Sequence, residues 1–199
     1  MQWLEQLEQL SRAQQPKDLQ IQLFPNWAGN ADELFHWMQS NIKWDSPMTR
    51  WGVPTPRQVA WFGSVRYMYS GVCHEPTPEW PPLLNELRRQ LEEHLNARFN
   101  SVLANRYRDG SDTVAWHSDN EPELGPNPTI ASISLGATRR FKLRSHQKEE
   151  VHYDLNHGDL LVMSGETQTH WQHCIPRTKG PVGPRVNLTF RWTNPQPRR

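Results

Sequence analysis

The chain of 199 residues carries 22 basic and 21 acidic side chains and nine histidines, for a formal net charge of +1. That length suits one domain with a full core, and the near balance of charge excludes a global field that would recruit a polyanion, leaving any such task to local clusters. Only two cysteines are present, Cys73 and Cys174, too few and too far apart for a disulfide framework or a zinc ribbon, so a reducing setting is expected.

The opening Met1-Gln-Trp-Leu-Glu-Gln-Leu-Glu lacks a basic region and an apolar run, and no stretch approaches transmembrane length. A soluble protein is expected, cytoplasmic in a bacterium or otherwise intracellular, not secreted, with no membrane partner, and monomeric. Trp3, Leu4, Leu7 and Leu10 recur at helical spacing within Gln2 to Ala13, a short amphipathic helix ended before Pro16. Leu19 to Phe24 alternates apolar and polar residues as a strand does. Asn30-Ala-Asp-Glu, followed by Leu34, Phe35, Trp37, Met38 and Ile42, has the pattern of a capped helix.

From Lys43 to Trp80 prolines punctuate short aromatic runs, which favours hairpins and loops. Pro56 to Gly63 and Val65 to Gly71 suggest two strands around Gly63-Ser64, with Tyr67 and Tyr69 on one face. Beside Arg57 and Arg66 those rings could stack a flat base while the guanidiniums meet phosphate; the plainer alternative is a cross-strand aromatic pair. Pro81 to Asn100 places Leu83, Leu84, Leu87, Leu91, Leu95 and Phe99 in one stripe with Arg88, Arg89, Glu92 and Glu93 outward, a structural helix.

Beyond it the period becomes two. Eight strands are expected at Val102–Arg108, Thr113–His117, Ile130–Leu135, Arg140–Arg144, Val151–Leu155, Leu160–Met163, His170–His173 and Val186–Trp192. Helices followed by closely spaced strands imply an α+β, mostly β fold: a double-stranded β-helix, or jelly roll, backed by N-terminal helices. On this division residues 1–100 give helical support plus recognition hairpins at about 43–80, and residues 101–199 give the jelly-roll core.

Two residues apart on an extended segment, His117 and Asp119 project from one face, two-thirds of the two-His-one-carboxylate set that holds Fe(II) and leaves positions open. An isolated His-x-Asp is common by chance, so the third ligand decides its weight. Thr169-His-Trp-Gln-His offers His170 and His173, which cannot both face inward on a regular strand because their offset is odd. His173 is preferred, partly because it lies just before the bend at Pro176 and partly from the family resemblance given below, and His170 then supports the core or the ligands. In Pro184-Arg-Val-Asn-Leu-Thr-Phe-Arg-Trp, Arg185, Asn187, Thr189 and Arg191 share a face opposite Val186, Leu188 and Phe190. Two guanidiniums there suit a small dicarboxylate, whose oxygens their forks can meet in bidentate fashion; a solvated edge strand is the alternative.

Taken together, Asn105-Arg-Tyr107, His117-Ser-Asp119, Ile130-Ala-Ser-Ile-Ser-Leu-Gly136, Asn156-His-Gly-Asp159, His173 and Arg185-Val-Asn-Leu-Thr-Phe-Arg191 resemble the AlkB family of Fe(II)- and 2-oxoglutarate-dependent dioxygenases, most closely its nucleic-acid-repairing branch. The likeness is close over about the last hundred residues, and looser upstream through Pro56-Arg57-Gln58 and Tyr67-Met-Tyr69-Ser70-Gly. It implies that His117, Asp119 and His173 bind Fe(II). Arg185, helped by Tyr107 and Asn105, would hold the far carboxylate of 2-oxoglutarate and Arg191 the near one, with Asn187 and Thr189 trimming the pocket and O2 as second co-substrate.

The resemblance also implies oxidative demethylation of N-alkylated nucleobases of the 1-methyladenine and 3-methylcytosine type in DNA, releasing formaldehyde, succinate and CO2. The alternative is a dioxygenase of the same fold acting on RNA, protein or lipid. A flipped base would lie between Tyr69 and His117 with Tyr67, Ser70, Asn120 and Glu121 nearby. Phosphates could be tracked by Arg57, Arg139, Arg140, Lys142, Arg144 and Arg177. The chain departs from the pattern in the Pro-rich stretch Asp45 to Thr55, where a base-probing hairpin is expected.

Overall fold

The computed structural model describes residues 16–48, 52–69 and 72–195; the helix expected at Gln2 to Ala13 lies outside them. In chain order the elements are β1 (Gln20–Phe24), α1 (Ala31–Asn41), β2 (Gln58–Gly63), β3 (Tyr67–Tyr69), β4 (Val72–His74), α2 (Pro82–Leu95), β5 (Ser101–Tyr107), β6 (Val114–His117), β7 (Ile130–Gly136), β8 (Arg139–Ser145), β9 (Glu150–Leu155), β10 (Leu160–Ser164), α3 (Thr167–His170), β11 (Trp171–Ile175) and β12 (Arg185–Arg191). Six strands form one sheet in the order β1-β10-β7-β12-β5-β2, and four form a second in the order β6-β11-β8-β9. This is the expected jelly roll. Among the described residues no helix is long and apolar enough to cross a membrane.

The period-two pattern of β12 explains the layers. Its apolar residues Val186, Leu188 and Phe190 join Val102, Ala104, Ala131 and Ile133 on the outer face of the larger sheet. There Leu34 and Met38 of α1 and Leu84, Leu87 and Leu91 of α2 cover them. Deleting one such side chain, as in Leu188→Ala, costs about 2–5 kcal/mol in a core of this kind. A second cluster, in which Ile130, Leu161 and Met163 meet Phe141, Leu143, Trp171 and Ile175, fills the space between the sheets. Arg185, Asn187, Thr189 and Arg191 face that inner space, and every residue of β12 is buried. The strand lies between β5 and β7 rather than at an edge.

Several expected boundaries move. Asn30 occupies the N-cap position of α1 without a side-chain cap bond, and Asp32 and Glu33 supply the acidic first turn. The second helix stops at Leu95 because Asn96 turns left-handed at φ 47°; Glu92, expected outward, accepts the Phe99 N–H at 2.9 Å and seals that end. The hairpin expected around Gly63-Ser64 does not form. Instead β2 pairs along β5 in the larger sheet, and β3 pairs with β4. Strands β1 and β2 from the first hundred residues are therefore part of the core sheet, not support for it. His170 ends the single turn of α3, half-exposed, with Nε2 4.0 Å from Glu166, so it belongs neither to the core nor to the ligand set.

Candidate active site

His117 is the last residue of β6, and His173 is its register partner on β11. Asp119 follows two residues later, where the chain leaves the strand. The ladder brings the two imidazoles side by side, ring centroids 4.2 Å apart and planes inclined at 57°. One ligand atom from each of His117, Asp119 and His173 lies within 4.8 Å of the others, the grouping expected from the sequence. Beyond the His117–His173 pair the ladder shifts register between His173 and Ile175.

Each donor is prepared for a cation. His117 Nδ1 lies 2.8 Å from the Ala115 carbonyl; a carbonyl only accepts, so Nδ1 carries the proton and Nε2 keeps a lone pair toward the centre. Asp119 divides its carboxylate: Oδ2 accepts from Arg191 Nη2 at 2.7 Å and Nε at 3.2 Å. Oδ1 is buried with no hydrogen-bond donor among the described residues, and lies 3.7 Å from His117 Nε2. A buried carboxylate oxygen facing two imidazoles is a costly arrangement unless a cation completes it. Burial raises the Asp119 pKa, but Arg191 and both imidazoles outweigh it and hold the carboxyl at about 2. Burial and the neighbouring His117 push His173 down to about 3, and burial likewise lowers His117. At neutral pH the set is two neutral imidazoles and one carboxylate, which suits a divalent ion such as Fe(II).

In the cleft beside this centre, Tyr107, Arg185, Asn187 and Thr189 stand along one wall and Phe141, Met163 and Ile175 along the apolar one. Arg185 donates from Nη2 to Ser134 Oγ at 2.9 Å. Its Nε and Nη1 are buried and make no hydrogen bond among the described residues, and its carbon stands 5.1 Å from the Tyr107 ring centroid. Burial lowers its pKa to about 10, so it remains a cation at neutral pH. Tyr107 bonds to the same guanidinium and offsets part of the effect of burial, and a fully buried cation whose Nε and Nη1 have no acceptor among the described residues suits an anion. Asn187 donates to Ser132 Oγ and the Ile133 carbonyl and accepts from Thr189 Oγ1, a network that fixes the floor. Asn105 accepts from Arg57 Nε at 2.7 Å.

Residues expected to meet phosphate divide sharply. Arg57 and Arg139 are buried, with 6% and 1% of their surface exposed. Arg139 donates instead to the carbonyls of Asp109, Asp112 and Pro176. Arg140 is exposed but paired to Asp154, Arg144 lies over the Trp116 ring at 4.4 Å, and Arg177 is exposed. On the substrate side, Asn120 is exposed and Glu121 half-buried just past Asp119. Tyr67 and Tyr69 belong to β3, and Ser70 lies outside the described residues. The Pro-rich stretch folds back through a Met48–Pro54 bridge, with 49–51 outside the described residues. Sequence reasoning missed Gln168, whose Oε1 accepts the Asp119 N–H at 2.8 Å; a lone Gln in Glu-Thr-Gln-Thr-His carries no signal that would single it out.

A model of the 2OG-Fe(II) oxygenase superfamily matches residues 7–191. Alpha-ketoglutarate-dependent dioxygenase alkB homolog 3 of Mus musculus is 42% identical over 191 residues, covering 88% of this chain and 67% of that protein. DNA oxidative demethylase ALKBH2 of Homo sapiens is 38% identical over 178 residues, covering 81% of this chain and 68% of that protein. The chain spans about half to two thirds of the length of the curated relatives it matches. Among solved structures, that of OsALKBH1 superposes with a TM-score of 0.64 at 19% identity over 86% of this chain and 97% of the other, a likeness of fold.

Proposed function

The chain belongs to the 2OG-Fe(II) oxygenase superfamily and within it to the AlkB family, and on that premise we propose that it demethylates N-alkylated nucleobases of the 1-methyladenine and 3-methylcytosine type in DNA. The observation that carries this reading is the pairing of the His117–Asp119–His173 grouping with the buried guanidinium of Arg185 in one cleft. Its substrate class follows the names of the relatives, one of which is a DNA oxidative demethylase.

His117 and His173 would hold Fe(II) through neutral nitrogens and Asp119 through one oxygen, while Arg191 holds the other oxygen of that carboxylate in place. Arg185 would pair with the far carboxylate of the co-substrate, aided by Tyr107 and the hydroxyl-lined floor, and Arg191 with the near one. With Fe(II), 2-oxoglutarate and O2 present, the bound groups supply an oxidation that yields succinate, CO2 and an N-hydroxymethyl base, which loses formaldehyde. No side chain is asked to act as acid or base in that oxidation. The protein's part is to orient, to exclude water with Phe141, Met163 and Ile175, and to receive a base turned out of its stack. Tyr69 and His117 are assigned to the two faces of that base, with Asn120 and Glu121 along its edge.

The test is incubation of the pure chain with Fe(II), ascorbate, 2-oxoglutarate and oligonucleotides bearing 1-methyladenine or 3-methylcytosine, as single-stranded DNA, duplex DNA and RNA. Equimolar formaldehyde and succinate from DNA, lost in His117→Ala, is the expected result. Turnover restricted to RNA would move the substrate class, and no turnover on any nucleic acid would overturn the reading.

A further inference from the structure

We propose that Gln168 is a positioning residue for the metal, acting through the backbone of Asp119. The inference rests on the reading that His117, Asp119 and His173 hold a divalent cation. It starts from a structural difficulty: Asp119 must aim Oδ1 at two imidazoles, yet it stands beyond the end of β6, where no strand ladder fixes the main chain. Two bonds replace the ladder. Ser118 Oγ donates to the Trp171 carbonyl at 2.8 Å, and the Asp119 N–H donates to Gln168 Oε1 at 2.8 Å.

Gln168 is well suited to that task. It is 97% buried, with 3% of its surface exposed, and the far end of its amide touches Met163 Sδ at 3.3 Å, a weak acceptor. The single turn that carries it is itself fastened. Thr167 Oγ1 accepts the Gln20 N–H of β1 at 2.8 Å, and Gly165 enters the turn at φ +55°, where a Cβ would collide with the Gln20 amide. The larger sheet thus grips α3 from one side while α3 grips the ligand loop from the other. Arg191, on β12, holds the carboxylate of Asp119; Gln168 holds its main chain. With both ends fixed, Oδ1 has one direction left. Outer partners of this kind are worth 10–100-fold in metal affinity.

The experiment measures Mn(II) affinity of metal-free protein by electron paramagnetic resonance or calorimetry, at a temperature where circular dichroism shows each variant folded. Gln168→Met keeps the length and apolar body but removes the acceptor, and Gln168→Asn keeps the amide but withdraws it by one carbon. Both are expected to bind Mn(II) 10–100-fold more weakly than the parent. Parent-like affinity in whichever variant folds would overturn the proposal, and so would failure of both to fold, which would make Gln168 a folding residue only. If the parent itself bound no Mn(II), the reading of the metal centre would fall instead, so the two failures are distinguishable.

Discussion

Asp119 and Arg191 stand 72 positions apart in the chain and meet at 2.7 Å, with 1% and 3% of their side chains exposed. The guanidinium occupies one carboxylate oxygen and leaves the other for the imidazole pair. Removing one partner of a buried ion pair strands the other charge, a loss of about 3–5 kcal/mol. Arg191→Met is therefore expected to lower the stability of the metal-free protein by about that amount, measured by denaturant unfolding. Mn(II) should restore part of it by giving the carboxylate a new counter-charge.

Arg185 offers a cleaner separation of binding from turnover. Arg185 lines the cleft, and its Nε and Nη1 make no hydrogen bond among the described residues, so Arg185→Gln should raise the KM for 2-oxoglutarate about 10–100-fold, the equivalent of one or two charge-assisted hydrogen bonds. Metal affinity in the absence of co-substrate should stay near that of the parent. Steady-state kinetics with metal titration checks both.

Arg139 and Arg140 are neighbours with opposite consequences. Arg139 donates to three carbonyls in three loop positions, so Arg139→Gln is expected to cost roughly 2–4 kcal/mol by leaving buried acceptors unmet. Arg140→Gln breaks only an exposed pair with Asp154, which is worth well under about 1 kcal/mol. Thermal unfolding of the two variants side by side measures the contrast.

Asp112 gives a pH-dependent prediction away from the metal centre. Burial raises its pKa, but Arg108, which donates to it from the side chain and the backbone at 2.7–2.9 Å, outweighs burial and leaves it below the ordinary range of an aspartate. A carboxyl depressed in the folded state contributes stability above its unfolded pKa and loses it as pH falls through the folded one. Asp112→Asn should therefore destabilise the protein by about 1–3 kcal/mol at neutral pH. Its deficit relative to the parent should shrink as pH falls below about 4. Unfolding midpoints for both proteins across that range provide the check.

Legibility in the sequence followed the physics of each residue. The alternation in β12 was readable because a strand with one wholly polar and one wholly apolar face has few other solutions, whereas the strand expected to run through His170 begins only at Trp171, with His170 closing a helical turn before it. What could not be read was the state of the arginines. A guanidinium meets a phosphate or three buried carbonyls with the same chemistry, so Arg139 and Arg57 disclose their burial only once the loops around them are placed. The partner of β2 was equally hidden, since Gly63-Ser64 permits a hairpin turn without requiring one. Gln168 was invisible because its contribution depends on a single backbone N–H across the fold.

The central claim is that one cleft holds a divalent ion on His117, Asp119 and His173 and a keto-dicarboxylate on Arg185 beside it. Calorimetric titration of 2-oxoglutarate into the protein, with and without Mn(II), tests this most directly. Binding that requires the metal, weakens about 10–100-fold in Arg185→Gln and disappears with Asp119→Ala is the predicted result. Equal binding with and without Mn(II), or binding unchanged in both variants, would contradict it.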